Sequence, residues 1–260
     1  MKHTISRALR STARALKDLG FNPLAVTSLR YSPKYFRQSR EFKSLGGRIT
    51  HLYPILSDYE AQAGSASGHY FHQDLLVASF IHDTNPTRHI DVGSRVDGFV
   101  AHVAAFRPIE VLDIRPLTDI GHRNISFVQA DLMNGSTAFP TADSISCLHA
   151  IEHFGLGRYG DPIDPNGYKK GFENLLRMVQ PNGTLYISFP IGKQNEVHFN
   201  AHRVFHPLDI FSWSADKSIE LKRFDYVDDK GDIHKNVDLF KHDINVSYGC
   251  GIYSFTKLKL

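Results

Sequence analysis

The sequence predicts an α/β fold with a mostly parallel sheet, an antiparallel strand pair at one edge, and a basic helical arm in front. Three observations carry this. Between Arg88 and Phe189 short apolar runs alternate with helical patterns, as strand–helix–strand units require. The run Ser-Ile-Ser-Cys-Leu-His-Ala at 144–150 is largely apolar, as in a strand buried on both faces. After Phe189 the alternation stops, and two strand-like runs follow with no helix between them, which calls for antiparallel pairing.

The elements follow in order. At 100° per residue, Ile5, Ala8, Leu9, Thr12, Ala13, Leu16 and Leu19 share one face of a helix, with Arg7, Arg10, Arg14, Lys17 and Asp18 opposite. Gly20 ends it and Pro23 follows. Such a basic helix packs on its own chain or on a second copy in a homo-dimer, lies on an anionic membrane surface, or serves as a cleavable targeting segment. Residues 21–60 mix aromatic and basic residues without a clear period. The small, flexible run AQAGSASG at 61–68 reads as a linker, which divides the chain into an arm, 1–66, and a body, 67–260.

In the body, Phe71, Leu75, Ala78 and Ile81 predict a helix over 70–82, broken by Asn85-Pro86. Strands are expected at 88–92, 110–114, 125–129, 144–150 and 184–189, the last after a Pro181-Asn182-Gly183 turn. Helices are expected at 97–106 and 168–179, the latter turning Phe172, Leu175, Leu176 and Val179 inward, with a shorter one at 207–213. The closing strand pair is 219–227 and 251–260.

Composition excludes several classes. With 260 residues, 42% hydrophobic and 22% charged, the chain is not disordered overall. Its net charge of +3 is unevenly placed. Residues 1–50 hold 11 Lys and Arg against 2 Asp and Glu; the other 210 hold 19 against 25, a net −6. The acidic body gives no support to a bulk nucleic-acid partner. No apolar run approaches the ~18 residues of a membrane span. Cys147 and Cys250 sit in apolar or aromatic runs and read as buried free thiols, which suits a reducing, cytoplasmic location, with the arm allowing peripheral membrane contact.

Chemistry is expected at the strand ends. The first strand–helix turn, 89–99, reads H-I-D-V-G-S-R-V-D-G-F. A dinucleotide fold wants G-x-G-x-x-G; here Arg95 replaces the second glycine, which counts against a pyrophosphate ligand. Asp113 closes the second strand, where a carboxylate suits a ribose diol. Asp131 closes the third, where a carboxylate can accept an exocyclic amine. Each Asp taken alone is also a good turn or cap residue.

This constellation, with S-C-L-H-A-I-E-H at 146–153 and P-N-G-T-L-Y-I-S-F-P at 181–190, resembles the class I S-adenosylmethionine-dependent methyltransferase family over residues 70–260. The resemblance implies a Rossmann-like, seven-stranded sheet and S-adenosyl-L-methionine as cofactor. It places Asp91, Gly93, Ser94, Arg95 and Gly98 at the turn beside the methionine part, Asp113 with Ile114 and Arg115 at the ribose, and Asp131 with Leu132 at adenine. His149 is a satisfied core histidine or a further cofactor contact. The block E-H-F-G-L-G-R-Y-G-D-P-I-D-P-N-G (152–167) and F-N-A-H-R-V-F (199–205) resemble a subfamily of uncharacterised methyltransferase-like proteins of bacteria and nematodes. Some bacterial members sit among genes for surface polysaccharide synthesis, which points to sugar-type acceptors.

The segment 154–167 holds four glycines and two prolines, longer than the ~2–6 residues usual for such a connection. A hydroxyl acceptor needs a base, and His153 is the candidate, with Glu152 orienting it or binding the acceptor. Glu152 and His153 also make sense as a structural pair. Asp161, Asp164, His202 and Arg203 are further candidates for the acceptor side, with Arg158 and Tyr159 placed to orient it. A metal reading exists for His198, His202 and His206 and for Glu152, Asp161 and Asp164. The expected function is methyl transfer to a hydroxyl of a small molecule or glycan. The alternatives are cofactor binding without catalysis, and a metal-dependent hydrolytic or sugar-modifying enzyme.

Overall fold

The computed structural model describes residues 23–118, 121–215 and 218–259; the basic helix expected over 1–20 lies outside them. The chain divides into two compact units, with the boundary between Ser65 and Ala66.

The first unit carries α1, Pro23–Ser28, and α2, Ser32–Ser44. The sequence offered no period here, yet α2 is a regular helix. Pro33 starts it without loss, since a first-turn N–H has no intrahelical partner. Gly46 at φ +89° ends it. None of its residues is buried, so packing left no apolar stripe to read.

The second unit opens with α3, His69–Thr84. Then come β1, His89–Val92; α4, Ala101–Ala104, entered through a wide turn at Val96–Val100; β2, Ile109–Asp113; β3, Ile125–Gln129; and β4, Ala142–Leu148. After these run α5, Gly167–Met178; β5, Val179–Ile191; the hairpin β6, Glu196–His198, with β7, His202–Val204; and β8, Ile219–Val227, β9, Ile233–His234, and β10, Gly249–Lys257. Among the described residues, eight strands form one sheet in the order β3-β2-β1-β4-β5-β10-β8-β9. The first five are parallel, and β10 is antiparallel to both β5 and β8. The parallel α/β sheet with an antiparallel C-terminal edge is therefore present, and the two-residue β9 extends it by one strand.

Apolar side chains on the two sheet faces pack separately. Ile90, Leu112, Ile145 and Ile187 join Phe172 and Leu175 of α5, with Trp213 and Tyr253, on one side. Val111, Leu148, Tyr186 and Ile252 join Val77 and Ile81 of α3 and Phe99 on the other. Strands covered on both faces read as continuous apolar runs, which is why the sequence located them.

Four local expectations change. The buried face of α3 is Gln73, Asp74, Val77, Ala78 and Ile81, while Phe71 and Leu75 are exposed. Gln73 sits inward because it bonds the sheet, Ser188 Oγ donating to its Oε1 at 2.6 Å, and its own amide donates to Asp74 Oδ1 at 3.0 Å. β4 ends at Leu148, so His149 is no strand residue: it takes a left-handed φ of +49° and leads into the turn Ile151–His153. Pro181-Asn182-Gly183 is a bulge inside β5, pairing jumping from Ala142–Val179 to Ser144–Thr184 around Asn182 at φ +61°. The expected helix at 207–213 is a single tight turn, Asp209–Ser212.

Candidate active site

The strand order reverses between β1 and β4, both of which pair with each other while their outer neighbours diverge. Ligands of open α/β sheets bind in the crevice at that switch point, beyond the carboxyl ends of the strands. The turns after β1 and β4 line it.

Asp91 anchors the first turn from below. It is fully buried and accepts hydrogen bonds from Ser94 N at 3.0 Å, Ser94 Oγ at 2.7 Å and Ser146 Oγ at 2.5 Å. Burial raises its carboxyl to about 6, against the lowering effect of Ser146 and Ser94. An unfolded Asp titrates near ~4, so between about pH 4 and 6 the folded chain holds a proton that the unfolded chain releases. Stability from this group is fullest below pH 4 and falls by about 3 kcal/mol as pH rises through 6. Asp91→Asn is expected to flatten that slope in denaturant unfolding between pH 4 and 7; an unchanged slope would contradict it.

Gly93 takes a left-handed φ of +74°, and a Cβ there would meet Ala150 Cβ at 2.8 Å. Only glycine lets this turn close against the turn after β4. A Cβ on Gly98 would meet Asp74 Oδ2 at 2.9 Å. Arg95, the departure from the glycine pattern, is exposed and paired with Asp97 at 2.7 Å. Its guanidinium lies 5.9 Å over the Tyr70 ring.

Asp113 is 8% exposed at the end of β2. Arg115 holds it in a fork, donating from N at 2.8 Å, from Nε at 2.9 Å to Oδ1, and from Nη2 to Oδ2. Arg115 Nη2 also reaches Gly93 O at 3.3 Å, and its guanidinium lies 4.7 Å over the Tyr159 ring. A ribose diol reaching Asp113 has to take over bonds that Arg115 holds. Ile114 offers its carbonyl to Gln129 Nε2 at 2.8 Å. Asp131 accepts Met133 N at 2.9 Å, closing its own turn, and Leu132 is buried, with its carbonyl held by Asn174 of α5 at 2.7 Å.

The turn after β4 concentrates ionisable groups. Glu152 is 1% exposed; its Oε1 meets His149 Nδ1 at 2.8 Å and lies 3.6 Å from His153 Nε2. Glu152 Oε2 and His149 Nε2 are buried without a hydrogen-bond partner. Burial opposes charge on both residues, but their attraction outweighs it: Glu152 is held below the usual carboxylate range, and His149, beside Cys250 and Glu152, is raised well above that of an imidazole. His153 Nδ1 donates to Ala201 O at 2.6 Å, which leaves Nε2 as the basic nitrogen. Burial lowers the His153 pKa, against Glu152, so the ring is neutral at physiological pH.

The remaining candidates hold the loop. Asp161 accepts Gly155 N at 2.8 Å, Gly157 N at 3.1 Å and Tyr159 N at 3.1 Å. Asp164 accepts Asn166 N at 2.8 Å and pairs with Lys170 at 2.7 Å. Arg203, 4% exposed, donates to Phe154 O at 2.6 Å, Glu152 O at 3.3 Å, and Asp164 O and Pro165 O at 3.4 Å. It lies 4.9 Å from the Tyr168 ring. His202 faces His198 across the β6–β7 hairpin at 3.1 Å, and burial together with His198 lowers it to about 4. His206 is turned elsewhere, accepting Leu208 N at 3.3 Å.

Neither alternative metal set converges among the described residues. Among the described residues the ligand-type group is His69, His149 and Cys250, drawn from α3, the β4 turn and β10. Sequence reading passed over His69 and kept Cys250 as a core thiol; the one local signal was the polar pair Gln73–Asp74 interrupting the apolar pattern of α3.

Comparisons with known proteins agree with this architecture. Residues 112–228 match a family model described as "Caenorhabditis protein of unknown function, DUF268"; both parts of the 152–167 and 199–205 pattern fall inside it. No curated protein matches the chain. The N-methyltransferase NodS from Bradyrhizobium japonicum WM9, in complex with S-adenosyl-L-homocysteine, is similar with TM-score 0.50 at 12% identity, over 84% of this chain and 98% of that one. The 4+2 cyclase SpnF is similar with TM-score 0.53 at 12% identity, over 89% and 96%. A cyclase beside a methyltransferase shows that the architecture does not settle the reaction. The chain has the Rossmann-like fold of S-adenosylmethionine-dependent methyltransferases.

Proposed function

We propose that this protein transfers a methyl group from S-adenosylmethionine to a hydroxyl of a small-molecule or glycan acceptor. The observation that carries it is His153: buried, neutral, its Nδ1 proton committed to Ala201 O, its Nε2 free as a base and 3.6 Å from Glu152. The cofactor, when bound, supplies an electrophilic methyl group. Asp113 and the Gly93 turn would hold it, and the Arg115 fork would yield to its ribose. A hydroxyl presented to His153 gives its proton to Nε2, and Glu152 stabilises the imidazolium that results. Alignment in the crevice supplies the rest of the rate. The sugar class of acceptor rests on the resemblance of the 152–167 block.

Calorimetry with S-adenosylhomocysteine tests the cofactor, and transfer of labelled methyl from S-adenosylmethionine to hydroxylated glycans and small molecules tests the reaction. Absence of binding at millimolar ligand would end this reading. With an acceptor in hand, His153→Gln is expected to lower kcat about 100-fold while leaving S-adenosylhomocysteine affinity unchanged. Undiminished kcat would remove the base assignment. A second reading, cofactor binding without methyl transfer, predicts binding with no labelled product for any acceptor.

A further inference from the structure

At the carboxyl end of the sheet three side chains far apart in sequence converge. His69 is the first residue of α3, His149 follows β4, and Cys250 lies on β10, paired with Pro190 of β5 and Val227 of β8. One ligand atom from each lies within 4.8 Å of the other two. Two of the three residues are buried and His69 is half-buried.

We propose that His69, His149 and Cys250 bind a zinc ion. The donor set of two imidazoles and a thiolate is the borderline-soft kind that zinc takes, and three protein ligands leave a fourth position for water or an acceptor oxygen. Tetrahedral zinc with bonds of ~2.0–2.3 Å separates its ligand atoms by about 3.3–3.7 Å. The cluster therefore needs a closure of about an ångström, in which His69, half-buried at the start of its helix and stacked on His149 at 5.2 Å and on Tyr248 at 5.4 Å, turns its ring toward the other two ligands.

Three further features fit a metal. His149 Nε2 is buried with no hydrogen-bond partner, a costly arrangement that a metal bond would satisfy. Its other nitrogen, Nδ1, is held by Glu152 Oε1 at 2.8 Å, the carboxylate–histidine support that orients metal-bound imidazoles. His149 also takes a left-handed backbone at φ +49°, which few residues other than glycine adopt, and its side chain joins the cluster from there. Cys250 Sγ lies 3.6 Å from Gln73 Oε1; on binding, the Cys250 thiol and the His149 imidazolium, the latter from Nε2, each release a proton to solvent, and the two coordinate as thiolate and neutral imidazole. The site stands on these side chains and does not depend on the methyl-transfer reading.

The test uses the full chain without a metal-binding tag, stripped with chelator, reloaded with zinc and dialysed. Elemental analysis is expected to find one equivalent per chain, and cobalt in its place to show a thiolate-to-metal charge-transfer band. Cys250→Ser and His69→Gln should each weaken zinc binding at least about 100-fold. His69 is half-buried, so its variant reports on the site even if Cys250→Ser fails to fold. His198→Gln, on the separate β6–β7 hairpin, should keep the equivalent. No retained metal, no charge-transfer band, or metal lost in His198→Gln but kept in His69→Gln would each overturn the proposal. Because metal is measured without cofactor, failure here is distinct from failure to bind S-adenosylhomocysteine.

Discussion

Replacing Asp113 by Ala is expected to lower the affinity for S-adenosylhomocysteine about 1,000-fold. Asp113 is a nearly buried carboxylate at the end of β2, beside the switch point. A hydrogen bond from a neutral donor to a charged acceptor contributes roughly 1.5–3 kcal/mol, and a ribose offers two, which together reach about 4 kcal/mol, or a thousandfold. The partner substitution sharpens the test. Arg115 now holds both Asp113 oxygens, so a ligand has to displace it. Arg115→Ala removes that competition and is expected to leave the affinity equal or higher. Calorimetry on the three proteins decides. An Asp113→Ala affinity within threefold of the unsubstituted protein would contradict the ribose assignment. An equal loss in Arg115→Ala would shift the contact from the acid to the guanidinium.

Replacing Arg203 by Leu is expected to cost about 4 kcal/mol of stability and to open the 152–165 loop to proteolysis. The guanidinium is a buried cation whose fork reaches four backbone carbonyls, those of Glu152, Phe154, Asp164 and Pro165. Each buried acceptor left without a donor costs roughly 1–3 kcal/mol, and the longer contacts here stand at the low end. Arg203→Lys keeps the charge but not the planar fork, so it should recover less than half of the loss. Denaturant unfolding measures both, and a loss below about 1 kcal/mol for Leu would show that the loop closes without this side chain. The same residue positions His153 indirectly, since it ties the loop that carries Arg158 and Tyr159 to β7.

Asp161 and Arg203 show why sequence could not assign roles inside the loop. Both look like chemistry: a carboxylate and a guanidinium beside a Glu-His pair. Both bond backbone groups instead, Asp161 taking three amides and Arg203 four carbonyls. A glycine-rich loop leaves many amides and carbonyls without secondary-structure partners, and ionised side chains are the strongest available substitutes. That demand arises only once the loop is folded back on itself. Arg115 is a similar case, because its bond to Asp113 is local but its reach to Gly93 depends on β1 lying beside β2.

The sequence by itself determined the order of the five parallel strands and the closing strand pair, the glycine turn after β1 and the acids at the ends of β1, β2 and β3. These features are local: apolar runs, breakers and turn residues act on neighbours along the chain. The tertiary structure alone decided which acids stay open to a ligand and which are consumed, that His149 leaves the strand in a left-handed turn, and that His69, His149 and Cys250 meet. Such meetings follow from strand order, with β10 inserted between β5 and β8, and no spacing along the chain encodes them.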